Sequence, residues 1–180
     1  MESLKIVALS IFAAITYGII HDQITARICV EYFTIGHPPI FGTDSPTLLG
    51  LGWGIVATWW VGLLLGIPLS LMAQIGSMPK IGAASLIKPI AVLMMGSAIV
   101  ACIAGVIGFS LARTHSIWLV GSMATKVPQS RQELFLVDLW IHNASYLASF
   151  IGGMALIYWT WRRRYLLMHR AMQARVHHKL

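Results

Sequence analysis

Six histidine and acidic side chains lie within or beside long apolar segments of this chain. Ionisable side chains in such segments are costly to bury, so they are the first candidates for a functional role. Imidazoles and carboxylates together are the groups with which proteins hold zinc, iron or copper. The sequence therefore predicts a site for a transition-metal ion or redox cofactor, formed from His21, Asp22, Glu31, His37, Asp138 and His142.

The spacing of these residues indicates which of them share a centre. Asp138 and His142 are four positions apart and lie on one face of a helix. Both histidines belong to stripes of polar and small residues at helical spacing: Ser10, Ala14, Tyr17, His21 and Thr25 in one, and Asp138, His142, Ser145, Ser149 and Gly153 in the other. We expect the stripes to face each other, which makes His21, Asp138 and His142 the primary ligands. Asp22, Glu31 and His37 are expected directly at the ion or beside its ligands.

The pattern does not specify a reaction. The sequence has no HExxH motif, Ser-His-Asp series, phosphate-binding loop, dinucleotide fingerprint or internal repeat. Catalytic residues are therefore unassigned, and the sequence does not decide whether the protein is an enzyme.

The segments that must position these residues are typical of a membrane protein. Hydrophobic residues make up 57% of the 180 residues and charged residues only 11%, whereas soluble domains carry about 25% charged residues. Runs without charge cover residues 45–79, 89–112 and 139–161, with a shorter run at 6–20. We predict an all-α integral membrane protein, a bundle of four transmembrane helices in a single membrane domain that covers residues 1–180.

Start and stop signals predict helices at about 3–35, 47–75, 88–112 and 131–162. The long first helix is expected to end at Gly36, which is followed by His37 and two prolines, and a capping box from Ser130 to Glu133 sets the start of the last helix near Arg131. Pro68 predicts a kink in the second helix. Residues 163–180 form a predicted basic cytoplasmic tail that can continue the last helix along the membrane surface.

The distribution of basic residues predicts the orientation. With the N-terminus in the cytoplasm, nine of the thirteen Lys and Arg residues lie on the inner side and four on the outer side, as the positive-inside rule requires. Both termini are then cytoplasmic, and the polar cluster faces outward. The net charge of +7 is concentrated in the tail, so it does not indicate nucleic-acid binding. We predict a multi-pass protein of the bacterial plasma (inner) membrane.

Small residues four positions apart occur in three of the four predicted spans, and this spacing lets membrane helices approach closely. They are Gly50 and Gly54, Gly62 with Gly66 and Ser70, Ser97 with Ala101 and Gly105, and Ala144 with Ala148 and Gly152. The pattern predicts a compact bundle. It also allows a membrane-protein partner or a homo-oligomer.

Three functions are compatible with these features. The leading hypothesis is an outward-facing metal or cofactor site that acts on a lipid-soluble substrate. A proton- or cation-coupled transporter or channel component is the second, although the inner half offers few polar residues for a pathway. The third is a non-catalytic structural or assembly subunit, in which Asp138 hydrogen-bonds His142 or His21, and Arg27 pairs with Glu31.

Overall fold

The computed structural model describes residues 1–177, with side chains through Ala174; Lys179, which belongs to the predicted basic tail, lies outside the described residues. This part of the chain is helical and contains no strand. Short 3₁₀ turns lie at Ala83–Leu86 and Gln129–Arg131. The α-helices are α1 (Glu2–Ile28), α2 (Val30–Thr34), α3 (Pro46–Val56), α4 (Trp59–Gln74), α5 (Ile87–Arg113), α6 (Gly121–Lys126) and α7 (Gln132–His177).

Four helical segments in the described residues are long and apolar enough to cross a membrane: Glu2–Ile28, Pro46–Gln74, Ala83–Arg113 and Gln129–Ala174. Contacts between distant residues show that the segments alternate in direction. Ser70 near the end of α4 donates to the Ser3 carbonyl of α1, and the Ala83 N–H donates to Glu2. We call this side of the bundle the terminal end, and the side with Gly36 and the α5–α7 connection the loop end.

Glycines let neighbouring helices approach closely, and they bring α1 into backbone contact with α3 and α4. A Cβ added at Gly54 or Gly62 would lie 2.6 Å from the Cα atom of Ile19 or Ile11 in α1. Gly105 of α5 packs closely against the Ile141 side chain of α7. The prediction that the small residues mark close helix packing is therefore confirmed. The contacts divide the bundle into two pairs of spans, α1 with α3–α4 and α5 with α7, which are joined mainly through α4 and α7.

Alanine at Gly62 is expected to lower the free energy of unfolding by about 1–3 kcal/mol, because its Cβ would overlap the backbone of Ser10 and Ile11. Gly96 is the matched control, since a Cβ there meets nothing within 4 Å. Gly96→Ala should be neutral or stabilising, because alanine favours a helix more than glycine does. Reversible unfolding in mixed micelles, followed by circular dichroism, measures both values. Equal effects of the two substitutions would contradict the packing argument.

The first helix does not continue to residue 35 as the sequence predicts. Cys29 adopts an extended conformation, with φ −146° and ψ 96°, and separates α1 from α2. Neither glycine nor proline marks this position, so the break depends on tertiary contacts. The Arg131 guanidinium donates to the Ile28 carbonyl and to the Glu31 carboxylate, one on each side of the break. The Cys29 side chain is fully buried in an apolar cluster with Ala112, Leu119, Val127, Phe135 and Leu136.

The second span, Pro46–Gln74, agrees with the predicted helix at 47–75 but is not continuous, whereas the last span differs from its sequence-based boundary. The second span is interrupted at Ala57 and Thr58, and α4 continues through Pro68. The last helix, α7, continues well beyond residue 162 into the segment predicted as a basic tail. Arg164 in that segment is only 1% exposed. It donates hydrogen bonds to the carbonyls of Met72, Ile75, Met78 and Pro79, at the end of α4 and in the turn that follows.

Candidate metal centre

Two imidazoles and one carboxylate meet where α1 faces α7. One possible ligand atom from each of His21, Asp22 and His142 lies within 4.8 Å of the other two. The two imidazole rings are 4.7 Å apart between centroids, and His142 Nε2 is 3.3 Å from Asp22 Oδ1. Asp22 and His142 are buried. The prediction that the first and last spans face each other through their histidines is therefore confirmed.

The hydrogen bonding of His142 determines which of its nitrogens can bind an ion. Nδ1 lies 2.7 Å from the backbone carbonyl of Asp138, one helical turn earlier. A carbonyl oxygen can only accept, so Nδ1 must carry a hydrogen. In the neutral imidazole Nε2 then presents its lone pair to Asp22 Oδ1, which is also an acceptor. A cation, either a proton or a metal ion, is needed to make this contact favourable.

Asp138 takes a different place from the one expected from the sequence. It is fully buried, but it faces His142 with its backbone carbonyl, and the carboxylate nearest the imidazoles is that of Asp22. Neither carboxylate oxygen of Asp138 has a hydrogen-bond partner in the described part of the chain, and the same holds for His21 Nε2. The expected hydrogen bond from the Asp138 carboxylate to His142 or His21 is thus not formed. Buried polar atoms without a hydrogen-bond partner are rare in native proteins, and a functional role is one explanation for them.

Aromatic side chains of α2 cover the site from the loop end. The Tyr32 ring stacks on His142 with centroids 4.4 Å apart, and Phe33 makes an edge-to-face contact with the same imidazole. Tyr32 also lies against His37, whose Nδ1 donates to the Tyr32 carbonyl at 2.8 Å. Burial lowers the pKa of His37 below 6.5, which keeps it neutral. His37 therefore packs beside the aromatic cover, against Trp53, and is not part of the His21, Asp22 and His142 group.

Glu31 is engaged in an ion pair away from the imidazoles. Both of its carboxylate oxygens are 3.0 Å from Arg131 Nε, and Cys29 Sγ donates to it at 3.3 Å. The expected pair with Arg27 is not formed, because the break at Cys29 removes the helical spacing that it requires; Arg27 binds Gln23 and Thr47 instead. Burial, with the hydrogen bond to Glu31, raises the pKa of Cys29 to about 12, so its thiol stays protonated at neutral pH.

We expect Glu31 to make the stability of the loop end depend on pH. Burial alone would raise its pKa, but hydrogen bonds from its own backbone N–H, Arg131 and Cys29 outweigh burial and lower the pKa below 4.5. The unfolded chain therefore takes up a proton at higher pH than the folded chain does. The contribution is complete above pH 4.5 and is lost as the pH falls below it.

Thermal unfolding between pH 6 and pH 3 tests this expectation. Glu31→Gln should lower the midpoint most at pH 6, and its difference from the unmodified protein should shrink toward pH 3. Glu133→Gln is the control, because Glu133 is 3.9 Å from Arg113 in an exposed pair that stabilises little. A constant difference across the pH range would show that Glu31 acts through packing alone.

A cavity of about 70 Å³ adjoins the site and is lined by His21, Asp22 and His142 together with residues of α4. Such a space can hold several water molecules or a small ligand. Its polar groups are paired across the bundle: the Tyr17 hydroxyl is 2.8 Å from Ser145 Oγ, and Ser149 Oγ donates to Ser97 Oγ at 3.0 Å. An ion at the imidazoles could therefore have an open side that faces this cavity.

Sequence reasoning selected the two histidines and Asp22 but missed the residues that enclose them. Tyr32 and Phe33 were not singled out, because aromatic residues near a span end are usually interface residues. Arg131 was expected only as the outer start of the last helix. Its pairing with Glu31 joins positions 100 residues apart, and a single sequence contains no signal for such a contact.

The fold and the site define an all-helical protein with four segments that could cross a membrane and a buried cluster of two histidines and one aspartate. Comparisons of this chain with models of known protein families, with curated proteins and with solved structures gave no match.

Proposed function

We propose that the chain is a multi-pass membrane protein of the bacterial plasma membrane, with four transmembrane helices and both termini in the cytoplasm. Each candidate segment exceeds the roughly 20 residues that cross a bilayer. Large apolar side chains such as Phe12, Val92, Val106 and Ile151 are exposed on the outside of the bundle, where lipid would cover them. The excess of Lys and Arg at the terminal end supports the orientation.

We further propose that His21, Asp22 and His142 bind one transition-metal ion in the outer half of the membrane. The observation that carries this proposal is the hydrogen bond from His142 Nδ1 to the Asp138 carbonyl. Metal-binding histidines typically donate their other ring N–H to a backbone carbonyl or carboxylate, which fixes the ring and leaves the second nitrogen free for the ion. In this protein that free nitrogen faces Asp22, within 4.8 Å of a nitrogen of His21.

The set of donors favours zinc, iron or copper. Two imidazoles and one carboxylate occur in catalytic zinc sites and in non-haem iron sites, and both leave coordination positions open to a substrate. An ion at the usual distances of about 2.0–2.2 Å from all three groups requires their ligand atoms, which lie within 4.8 Å of one another, to move closer together. Because the adjoining cavity lies among apolar side chains, a lipid-soluble substrate fits the site better than a charged one.

The alternative functions have less support. A proton shared by His142 and Asp22 would satisfy that contact and suits a structural subunit, but it leaves His21 Nε2 without a partner. A transporter needs a polar route to the terminal end. There the space between the helices is filled by a buried apolar cluster of Ile6, Leu69, Ala73, Ile81, Leu86 and Ile90.

Elemental analysis of protein purified in mild detergent without chelators tests the metal site. We expect about one zinc, iron or copper ion per chain, as for a site with three protein ligands. Titration of chelator-treated protein with each metal measures the affinity of the site for that metal, independently of which metals were available during expression. Absence of bound metal in the purified protein, together with no saturable binding in the titration, would contradict the proposal.

A further inference from the structure

The candidate metal centre is buried, so an ion from water reaches it only if part of the protein moves. Asp22 and His142 are 5% and 7% exposed. Toward the terminal end, a buried apolar cluster of α1, α4 and α5 fills the space between the helices. A hydrated cation does not cross such a region, because the loss of its water costs too much free energy. Lipid has the same effect at the sides of the bundle in the proposed orientation. The ion therefore has to come from the loop end.

At the loop end the centre is covered by the short helix α2. Tyr32 of this helix lies on the His142 ring, with centroids 4.4 Å apart, and its ring is 5.3 Å from that of Phe135 in α7. The extended Cys29 separates α2 from α1. None of the three candidate ligands belongs to α2. This helix can therefore change position without taking a ligand away from the ion.

Different residues join α2 to the two sides of the bundle. Phe33 joins it to α3, since this side chain is 2% exposed and belongs to a buried cluster with Trp53. Glu31 joins it to the start of α7, through the ion pair with Arg131. Tyr32 makes the second contact with α7. Rotation of α2 about Phe33 would therefore uncover the centre once the pair between Glu31 and Arg131 has separated.

The pair between Glu31 and Arg131 is partly exposed to water. The two side chains are 20% and 33% exposed, and both carboxylate oxygens lie 3.0 Å from Arg131 Nε. Arg131 also donates to the Ile28 carbonyl, so it holds both sides of the break at Cys29. Ion pairs that water reaches stabilise a structure only modestly and separate readily. Such a pair suits a cover that has to open and close.

We propose that α2 is the cover through which the ion enters and leaves the centre, and that Arg131 is a positioning residue that closes this cover through Glu31. With the pair formed, Tyr32 stays on His142 and shields the ion from water. With the pair separated, α2 turns about Phe33 and His142 Nε2 is reached from the loop end. In naming a metal ion this inference rests on the proposed function, but opening of the cover does not require the metal.

The rates of metal binding and release test the proposal. Chelator-treated protein is mixed with cobalt(II), a substitute for zinc whose visible absorption reports binding, and the loaded protein is then mixed with excess chelator. Glu31→Gln should speed both binding and release by about fivefold, the upper end of the effect of an exposed pair. The dissociation constant should hardly change, because α2 provides no candidate ligand. A lower affinity with an unchanged binding rate would show that the pair is only structural and would overturn the proposal.

Three further variants locate the effect. Glu133→Gln is the matched control, because it removes the same charge from an exposed pair between α5 and α7, and it should leave both rates unchanged. Arg131→Lys should give intermediate rates, since one ammonium group does not replace the planar guanidinium that serves Glu31 and the Ile28 carbonyl together. Tyr32→Ala removes the covering ring and should bind faster than Glu31→Gln, which gives a second test if Glu31→Gln folds poorly. An unchanged binding rate in folded Tyr32→Ala, or equal rates in the Glu31 and Glu133 variants, would contradict the proposal.

Chemical labelling of a separate, metal-free sample distinguishes the cover from the metal site. Diethyl pyrocarbonate reacts with the unprotonated nitrogen of an imidazole, which in His142 is Nε2. Glu31→Gln should speed labelling of His142 and leave labelling of the exposed His169 unchanged. Faster labelling of His142 in a protein that does not bind cobalt would remove the proposed metal site and leave α2 as a cover of the imidazoles. Cobalt binding with unchanged rates and unchanged labelling would remove the cover alone.

Discussion

Replacing His142 with alanine is expected to lower metal affinity by more than about 100-fold, since loss of the residues that merely orient metal ligands already costs 10–100-fold. His142 is the best-fixed of the three candidate ligands, because its Nδ1 is bound to the Asp138 carbonyl and its ring is stacked on Tyr32. Competition with a chromophoric chelator measures the affinity of the unmodified and substituted proteins.

Two further substitutions identify the carboxylate at the ion. Asp22→Asn should weaken binding strongly, because it removes the negative charge that faces His142. Asp138→Asn should have a smaller effect, since the backbone carbonyl that orients His142 remains. His169→Ala is the control, because His169 is exposed near the terminal end. Equal affinity in the His142, Asp22 and control variants would show that any bound metal lies elsewhere.

Replacing Arg164 with methionine is expected to lower the free energy of unfolding by about 1.5–3 kcal/mol, because the carbonyls at the end of α4 lose the hydrogen bonds from a guanidinium that is itself buried. The guanidinium donates to Ile75 and Met78 at 2.8 and 2.9 Å, to Pro79 at 2.8 Å, and to Met72. These carbonyls include the free ones at the end of α4, where the helix dipole also favours a cation. Unfolding by denaturant in mixed micelles measures the loss.

Lysine and a neighbouring arginine provide the controls for this prediction. Arg164→Lys should recover only part of the stability, because one ammonium group cannot reach all four carbonyls in the planar arrangement of a guanidinium. Arg162→Met removes the same charge from an exposed position and should change stability little. A loss as large in Arg162→Met as in Arg164→Met would mean that overall charge, and not the hydrogen bonds, sets the stability of this end.

The sequence predicts the helical segments well, because a helix that crosses a bilayer needs a long run without charge, and such runs are visible in a single chain. The facing of His21 and His142 also follows from local patterns, since each lies on a polar stripe that must avoid lipid. Helical spacing places residues on faces but does not reveal rotamers. For this reason it indicated Asp138 as the carboxylate beside the imidazoles, whereas Asp22 occupies that position.

The features that the sequence does not reveal depend on contacts between distant residues. The break at Cys29 has no glycine or proline and is held by Arg131, about 100 positions away. Arg164 lies in a run of three arginines that is typical of a membrane-surface anchor, yet it is buried while Arg162 is exposed. Only the packing of α7 against the end of α4 distinguishes the two.

The division of the bundle into two pairs of spans has a thermodynamic consequence for the candidate centre. His21 and Asp22 belong to the pair formed by α1 with α3–α4, and His142 belongs to the pair formed by α5 with α7. An ion held by all three residues would link the two pairs of spans to each other. The binding energy of the ion would therefore oppose separation of the two pairs. By mass action, metal at 100 times its dissociation constant adds about 2.7 kcal/mol to the stability of the folded state.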